Sequence, residues 1–397
     1  MRSILFLVFL CAFTTVAWAQ SQPDEPAQQA QQPLMAAGMD AEAESAEDTE
    51  IERLKRQVRA LTVQVEALEN VQEETKDDLL SQINVSGKVF AGYWWNYSGT
   101  AAQKNFNRFQ VDRMYLTVKG NLSERFSFRG TTDIYTSRAD ANLSSVVILK
   151  YAYVDWKASS WLKLRAGVIP TVWIDHMNKV WGYRGVAKVL ADQEKFQPSA
   201  DIGLSALVQL PSKRGEVVVN VQNGSGYRKP ESNRYKDVSA RLVLKPFANA
   251  AKALQPLQVS GHVYEGRFDT GDRRTRWGGL AFYKTRHFSA GVNYDVRQDS
   301  TLQGKGFSVF GEIKLGRIAA LKDFSLIGRW ETYDPDTATS DDDYRRTIGG
   351  LAYKPTSRLT LVMNAQHVTR SAVSFERYDG TLTRNDGRFA LHAIVTF

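Results

Sequence analysis

From Ile83 to Phe397 apolar and polar residues alternate with a period of two, the mark of strands that carry one oily and one wet face. About sixteen segments can be marked: 83–97, 107–121, 124–137, 146–157, 162–172, 200–211, 215–224, 233–246, 255–268, 274–286, 287–298, 303–315, 321–333, 344–355, 358–370 and 385–397. In the first, Val85, Val89, Ala91, Tyr93 and Trp95 form the apolar face; in the eleventh, Phe288, Ala290, Val292, Tyr294 and Val296 do so. Opposite faces carry Arg129 with Asp133, Asn293 with Asp295, Glu312 with Lys314, and Arg329 with Glu331. The last segment keeps its register through Phe389, Leu391, Ala393, Val395 and Phe397, so the final residue belongs to a sheet rather than a frayed tail. "VVILKYAYVDW" is ambiguous: the pattern does not decide which face holds Lys150 and which holds Tyr151 and Tyr153.

The connections also alternate. Short ones at 121–124, 159–161, 212–214, 285–286 and 355–357 fall between long polar ones near 98–106, 138–145, 173–199, 225–232, 334–343 and 371–384. Tilted strands of about ten residues, short turns at one end and long loops at the other, describe a transmembrane barrel. A soluble antiparallel sandwich would explain the alternation but not the loop lengths, the aromatic strand ends or the terminal Phe. The fold expected is all-β: a 16-stranded antiparallel transmembrane β-barrel, its last strand paired with its first because hydrocarbon cannot satisfy an open edge.

Upstream the period changes. Ile51, Leu54, Val58, Leu61, Val65 and Leu68 alternate by three and four, and the pattern runs on through Gln72, Thr75 and Leu79. This narrow seam predicts a short N-terminal coiled-coil helix over 50–82, and its β-branched and Leu positions lean toward a dimer. Residues 20–49, rich in Gln, Ala, Pro and Glu, read as a flexible polar spacer. Residues 1–19, with Arg2, an apolar run and Ala17 and Ala19, read as a signal peptide. It carries the single cysteine, Cys11, so the exported part has neither disulfide nor thiolate site. Residues 83–397 form the barrel.

Charge is divided along the chain. Residues 20–82 hold 15 acidic and 5 basic side chains, whereas 45 basic stand against 28 acidic beyond residue 82. Those basic residues are spread around a wall rather than gathered in one patch, which argues against nucleic acid as a partner. The five histidines (His176, His262, His287, His367 and His392) lack zinc spacing, and no serine motif accompanies Asp175 and His176. "DPDTATSDDD" (334–343) lacks the order of a calcium loop and reads as a solvated outer loop in contact with lipopolysaccharide. No enzyme activity, metal or cofactor is expected.

A sixteen-strand barrel is wide enough to leave an aqueous channel. Where the apolar face is clear, the inward positions hold Lys88, Arg113, Lys119, Arg129, Arg165, Arg241, Lys245, Arg297, Lys314, Arg329 and Arg388, against Asp133, Asp295, Glu312 and Glu331. A basic excess along a pore favours anions. The longest connection, about 172–203, offers Lys179, Arg184, Lys188 and Lys195 to a constriction; capping the barrel with its charges solvated is the alternative. The pore-lining, anion-binding set expected is Arg113, Arg129, Arg165, Arg184, Lys188, Arg241, Arg297, Lys314 and Arg329.

"RFQVDRMYLTVKGNLSERFSFRGTTDIY", "LKYAYVDW", "LKLRAGVIPT" and "ADIGLSALVQL" resemble the phosphate-selective porin (porin O and P) family over about residues 81–397. The resemblance implies a homotrimeric outer-membrane porin through which small hydrophilic solutes and anions such as phosphate diffuse. In general porins the third loop folds into the pore, and the long connection has that place in the order. A terminal strand ending in Phe is similar to the signal read by the outer-membrane insertion machinery. The dense, regular spacing of Arg and Lys that phosphate selectivity requires is not seen. The N-terminal coil resembles periplasmic extensions of some trimeric sugar porins, which would make it three-stranded. A second function is a structural tether: spacer and coil reaching from the outer-membrane lipids to peptidoglycan in the periplasm.

Overall fold

The computed structural model describes residues 52–67, 82–99, 104–136, 145–371 and 385–397. The expected signal peptide and spacer lie outside these residues. The chain divides into two compact units, residues 1–75 and 76–397. Of the first, helix α1 (52–67) is described. Leu54, Val58, Leu61 and Val65 all stand exposed along it, so none of the described residues covers its apolar stripe. The continuation of the seam through Leu68, Gln72, Thr75 and Leu79 lies outside the described residues.

The second unit is a closed barrel of sixteen strands, each hydrogen-bonded to its sequence neighbours and β16 to β1. The strands are β1 (Ile83–Ser98), β2 (Asn107–Asn121), β3 (Phe126–Thr136), β4 (Ser145–Lys157), β5 (Leu162–Pro170), β6 (Ala200–Gln209), β7 (Gly215–Gln222) and β8 (Asp237–Leu244). They continue as β9 (Leu257–Arg267), β10 (Arg273–Lys284), β11 (Phe288–Asp299), β12 (Leu302–Lys314), β13 (Phe324–Asp334), β14 (Tyr344–Thr356), β15 (Leu359–Arg370) and β16 (Asn385–Thr396). All sixteen expected segments are present, most within three residues of the marked ends. The fifth stops at Pro170, not 172, because Val172 opens a helix.

Alternation becomes two unlike surfaces. On β13, Leu326 and Trp330 are exposed on the outer face, while Ile327, Arg329 and Glu331 are buried on the inner. The outer face of the whole cylinder carries Val85, Phe126, Val154, Leu204, Val263, Trp277, Val292, Met363 and Leu391 exposed. A band of that size is stable only beside another apolar phase.

Closure explains the terminal register. Val89 faces Val395, Ala91 faces Ala393, Tyr93 faces Leu391 and Trp95 faces Phe389. Phe397 adds two backbone hydrogen bonds to Gly87, of 2.7 and 3.0 Å, so the last residue helps seal the seam.

Two features depart from the simple pattern. Loop lengths do not alternate strictly: residues 245–256 join β8 to β9 at the short-turn end, while β11 and β12 meet through Ser300 and Thr301 at the other. β4 also carries a bulge. Thr131 pairs with Tyr151 and Thr132 with Leu149, which leaves Lys150 as the extra residue. A bulge breaks the period of two. Lys150 and Tyr151 are both buried on the inner side, so the ambiguity of "VVILKYAYVDW" is a property of the backbone.

Candidate functional site

The connection between β5 and β6 does not cap the barrel; it folds inside. It forms α2 (Val172–Trp181) and the short α3 (Leu190–Gln193). Thr171 precedes α2, and its hydroxyl donates to the Pro198 carbonyl at 2.7 Å, pinning the two ends of the excursion together. α2 stops at Gly182, whose φ of 75° is cheap only without a Cβ, and whose N–H caps Asn178 O at 3.0 Å.

What draws this segment inward is apolar burial. Trp173, Ile174, Met177, Trp181, Tyr183, Val189, Leu190 and Phe196 pack with inner-face residues Val218, Leu280, Phe282, Phe310, Ile327, Tyr333, Ile348 and Val362. Those partners lie on β7, β10, β12, β13, β14 and β15. A side chain at Gly306 would come within 2.5 Å of Leu190, so the wall is hollowed where the segment leans on it. Burying large side chains of this kind contributes about 2 kcal/mol each.

Polar contacts set the register. The Trp173 indole donates to Asp295 at 2.8 Å and stacks on His262 with ring centroids 4.2 Å apart. The Tyr183 hydroxyl donates to Glu312 at 2.6 Å; burial first, and then that carboxylate, raise the phenol's pKa above its ordinary value. The Tyr344 hydroxyl donates to Glu194 at 2.5 Å. Arg241 donates to Val172 O at 2.8 Å, Arg276 to Phe196 O at 2.6 Å and Arg329 to Lys188 O at 2.6 Å. His176, buried and in contact with Ser260 at 3.0 Å, is pushed down to about 3, by burial first and by Arg241 second.

The opposite wall is different. β2 to β5 present Arg113, Arg129, Lys150 and Arg165 among Tyr115, Tyr135, Tyr151 and Tyr153. Arg129 lies over Tyr151 at 4.6 Å, Arg165 over Tyr153 at 4.0 Å and Lys150 over Tyr115 at 4.8 Å. The connection between β7 and β8 also reaches this wall. Arg228 lies over Tyr135 at 4.6 Å, and the Tyr227 hydroxyl donates to Asp133 at 3.4 Å. Lys188 of the inward segment faces the same region. Burial holds Lys188 below the ordinary lysine value, Asp192 opposes this, and Arg184, Arg113 and Arg228 add to it.

The nine expected site residues therefore separate into groups. Arg241 and Arg329 face inward but are buried beneath the segment, paired with Glu216 and Glu331. Arg297 contacts Asp299 at 3.3 Å. Arg113, Arg129 and Arg165 share the open wall; Arg113 is held by Asp133 at 3.1 Å and Arg165 by Asp155 at 2.6 Å, while Arg129 bonds Thr131 at 2.9 Å. Arg184 and Lys188 lie on the inward segment, Arg184 with Asp192 at 3.2 Å. Lys314 is exposed at the short-turn end, away from the others. Lys179 and Lys195, also offered to the constriction, are exposed, and Lys179 pairs with Asp175 at 2.6 Å. Sequence reasoning missed Lys150, Tyr115, Tyr227 and Arg228. The bulge hid the first, and nothing local marks the loop pair.

No protein-family model matches the chain, and no curated protein matches it in sequence. Solved structures do resemble it. An anion-selective porin from Comamonas acidovorans superposes with a TM-score of 0.59 at 12% identity, covering 79% of this chain and 99% of that one. The outer membrane channel DcaP of Acinetobacter baumannii gives 0.56 at 12% identity, over 79% and 97%. OmpT in its trimer form, an outer membrane protein of Vibrio cholerae, gives 0.54 at 11% identity, over 79% and 99%. At such identities the likeness concerns the fold.

Proposed function

We propose that the chain is an outer-membrane porin, a water-filled channel for passive diffusion of small hydrophilic solutes that prefers anions. The observation that carries this reading is the pairing of an exposed apolar exterior with an interior whose inward segment covers one wall and leaves the other lined by cations. Around the gap stand Arg113, Arg129, Lys150, Arg165, Arg184, Lys188 and Arg228, against Asp133, Asp155, Asp175 and Asp192. Fixed positive charge beside a low-dielectric wall raises the local concentration of anions. Phosphate, implied by the resemblance to the porin O and P family, is one such anion. The anion-selective porin and the channel of like fold agree with this reading, and the trimer form of the third agrees with a homotrimer.

In this reading the outer face meets outer-membrane lipid, the outer rim meets lipopolysaccharide, and the N-terminal segment lies in the periplasm. The exposed stripe of α1 favours a coil between protomers, three-stranded in a trimer, and through it the second reading of a tether to peptidoglycan. The expected pore-lining set is narrowed to residues at the gap, with Arg241 and Arg329 as struts of the inward segment and Arg297 paired with Asp299. Single-channel recording of the full chain in asymmetric KCl tests the reading. A reversal potential on the chloride side is expected; cation preference refutes the basic gap. Without channels, the tether takes precedence, and removal of residues 20–82 should then detach the envelope.

A further inference from the structure

Lys150 has an unusual environment. It is 6% exposed, yet no carboxylate lies within ion-pair distance of its ammonium among the described residues. Asp133, on the neighbouring strand, is engaged by Arg113 at 3.1 Å, Arg228 at 3.8 Å and the Tyr227 hydroxyl at 3.4 Å. That carboxylate thus already serves two guanidinium groups and a hydroxyl. Instead of an anion, Lys150 has the Tyr115 oxygen at 3.2 Å and the rings of Tyr115, Tyr151 and Tyr227 at 4.8, 5.7 and 5.9 Å. A buried ammonium held only by neutral groups carries a desolvation cost that a bound anion would remove.

The local donors are already oriented. The Tyr115 oxygen accepts from both Lys150 and Arg113, the latter at 3.0 Å. Both lone pairs are then taken, and the hydroxyl's own proton remains a donor. An ammonium has three N–H groups, and Tyr115 occupies one. Donors from two side chains, set side by side, match the two oxygens of a carboxylate. The flanking rings of Tyr151 and Tyr227 favour a flat, unsaturated body over a hydrated sphere.

We infer that Lys150 and Tyr115, walled by Tyr151 and Tyr227, form a binding site for small aromatic carboxylates on the path through the barrel. The porin reading supplies the solute's route but not the site itself. The Tyr227 ring comes from the connection after β7, so site and inward loops are assembled together and the bulge in β4 is its foundation.

The test uses the full chain in planar bilayers, with benzoate added to KCl. Benzoate is expected to reduce the current at lower concentration than acetate or phosphate. Lys150→Met is expected to raise the half-blocking concentration about tenfold and Tyr115→Phe about threefold, as for lost charge-assisted bonds, each block measured against that variant's own current in KCl alone. An unchanged half-blocking concentration in Lys150→Met overturns the site; equal block by the three anions overturns the aromatic class. If the chain does not conduct, the porin reading fails by itself, and calorimetry of benzoate binding to the detergent-solubilised full chain, wild type against Lys150→Met, decides the site. Circular dichroism verifies the fold, and Tyr115→Phe, which keeps the ring, carries the test should Lys150→Met misfold.

Discussion

The two inner walls of the barrel are built from the same alternating pattern and do opposite things. From β7 to β15 the inner positions include Val218, Leu280, Phe282, Phe310, Ile327 and Ile348, and they grip the inward segment. From β2 to β5 they are Arg113, Tyr115, Arg129, Lys150, Tyr151 and Arg165, and no such apolar core forms. The inner face of a barrel around a water-filled lumen is expected to be wet, so the apolar half marks where the polypeptide lines its own lumen. Position of the oily inner residues, more than loop length, decides which way the long connection falls.

The largest break in this asymmetry is Trp173→Ala. The side chain is fully buried, donates to Asp295 and stacks on His262. Its removal should loosen the segment by about 5 kcal/mol, near the top of the range for buried Trp. Single-channel traces should turn noisy and the mean conductance rise, with the barrel still heat-modifiable on gels. A quiet trace of ordinary conductance would mean that the segment does not narrow the path.

Glu331→Gln comes next. This buried carboxylate accepts from Arg329 and forms an ion pair with Arg346 at 2.8 Å. Neutralising it removes the negative charge that two buried guanidinium groups share and should cost about 3 kcal/mol in denaturant unfolding from liposomes. Because Arg329 also holds Lys188 O, anion preference should weaken too.

Acid offers a graded version. His176 is ordinarily half-protonated near pH 6.5, but docked against Ser260 it resists a proton until about pH 3. Arg241, Lys179 and His262 disfavour the charge and Asp175 favours it. The undocked segment therefore binds the proton first. Docking is full above pH 6.5 and weakens as pH falls toward 3, by up to about 1.4 kcal/mol per pH unit. Hydrogen-exchange protection of Val172–Trp181, taken relative to the intrinsic rate at each pH, should fall between pH 6.5 and 4 in the native protein, and His176→Asn should flatten that dependence.

Lys314→Gln should do least. The residue is exposed at the short-turn end, and a change within about 0.5 kcal/mol is expected. A clear shift in reversal potential for this variant, larger than for Arg129→Gln, would move the selective region away from the open wall.

Much of this was legible without coordinates. Strand number, strand limits and the sealing role of Phe397 follow from a period that local sterics enforce, and a strand without a bulge states its inner and outer face residue by residue. The inward cations were legible for the same reason, since Arg113, Arg165 and Arg329 alternate with apolar neighbours. Their partners were not. Arg329 meets Glu331 on its own strand, but Arg113 needs Asp133, which depends on the register of β2 against β3. Lys150 escaped because a bulge removes the parity by which faces are read.

The sequence alone determined a wall: alternation fixes which atoms face out, and a chain of such strands has no stable open edge. Tertiary structure decided what happens within it. Whether the long connection caps or enters, and which cations keep an anion of their own, depends on contacts between Trp173 and Asp295 or between Tyr227 and Asp133, remote in the chain and adjacent only after closure. Local periodicity carries no information about distances across a lumen, and so the cationic wall and its tyrosine-held lysine belong to the folded barrel.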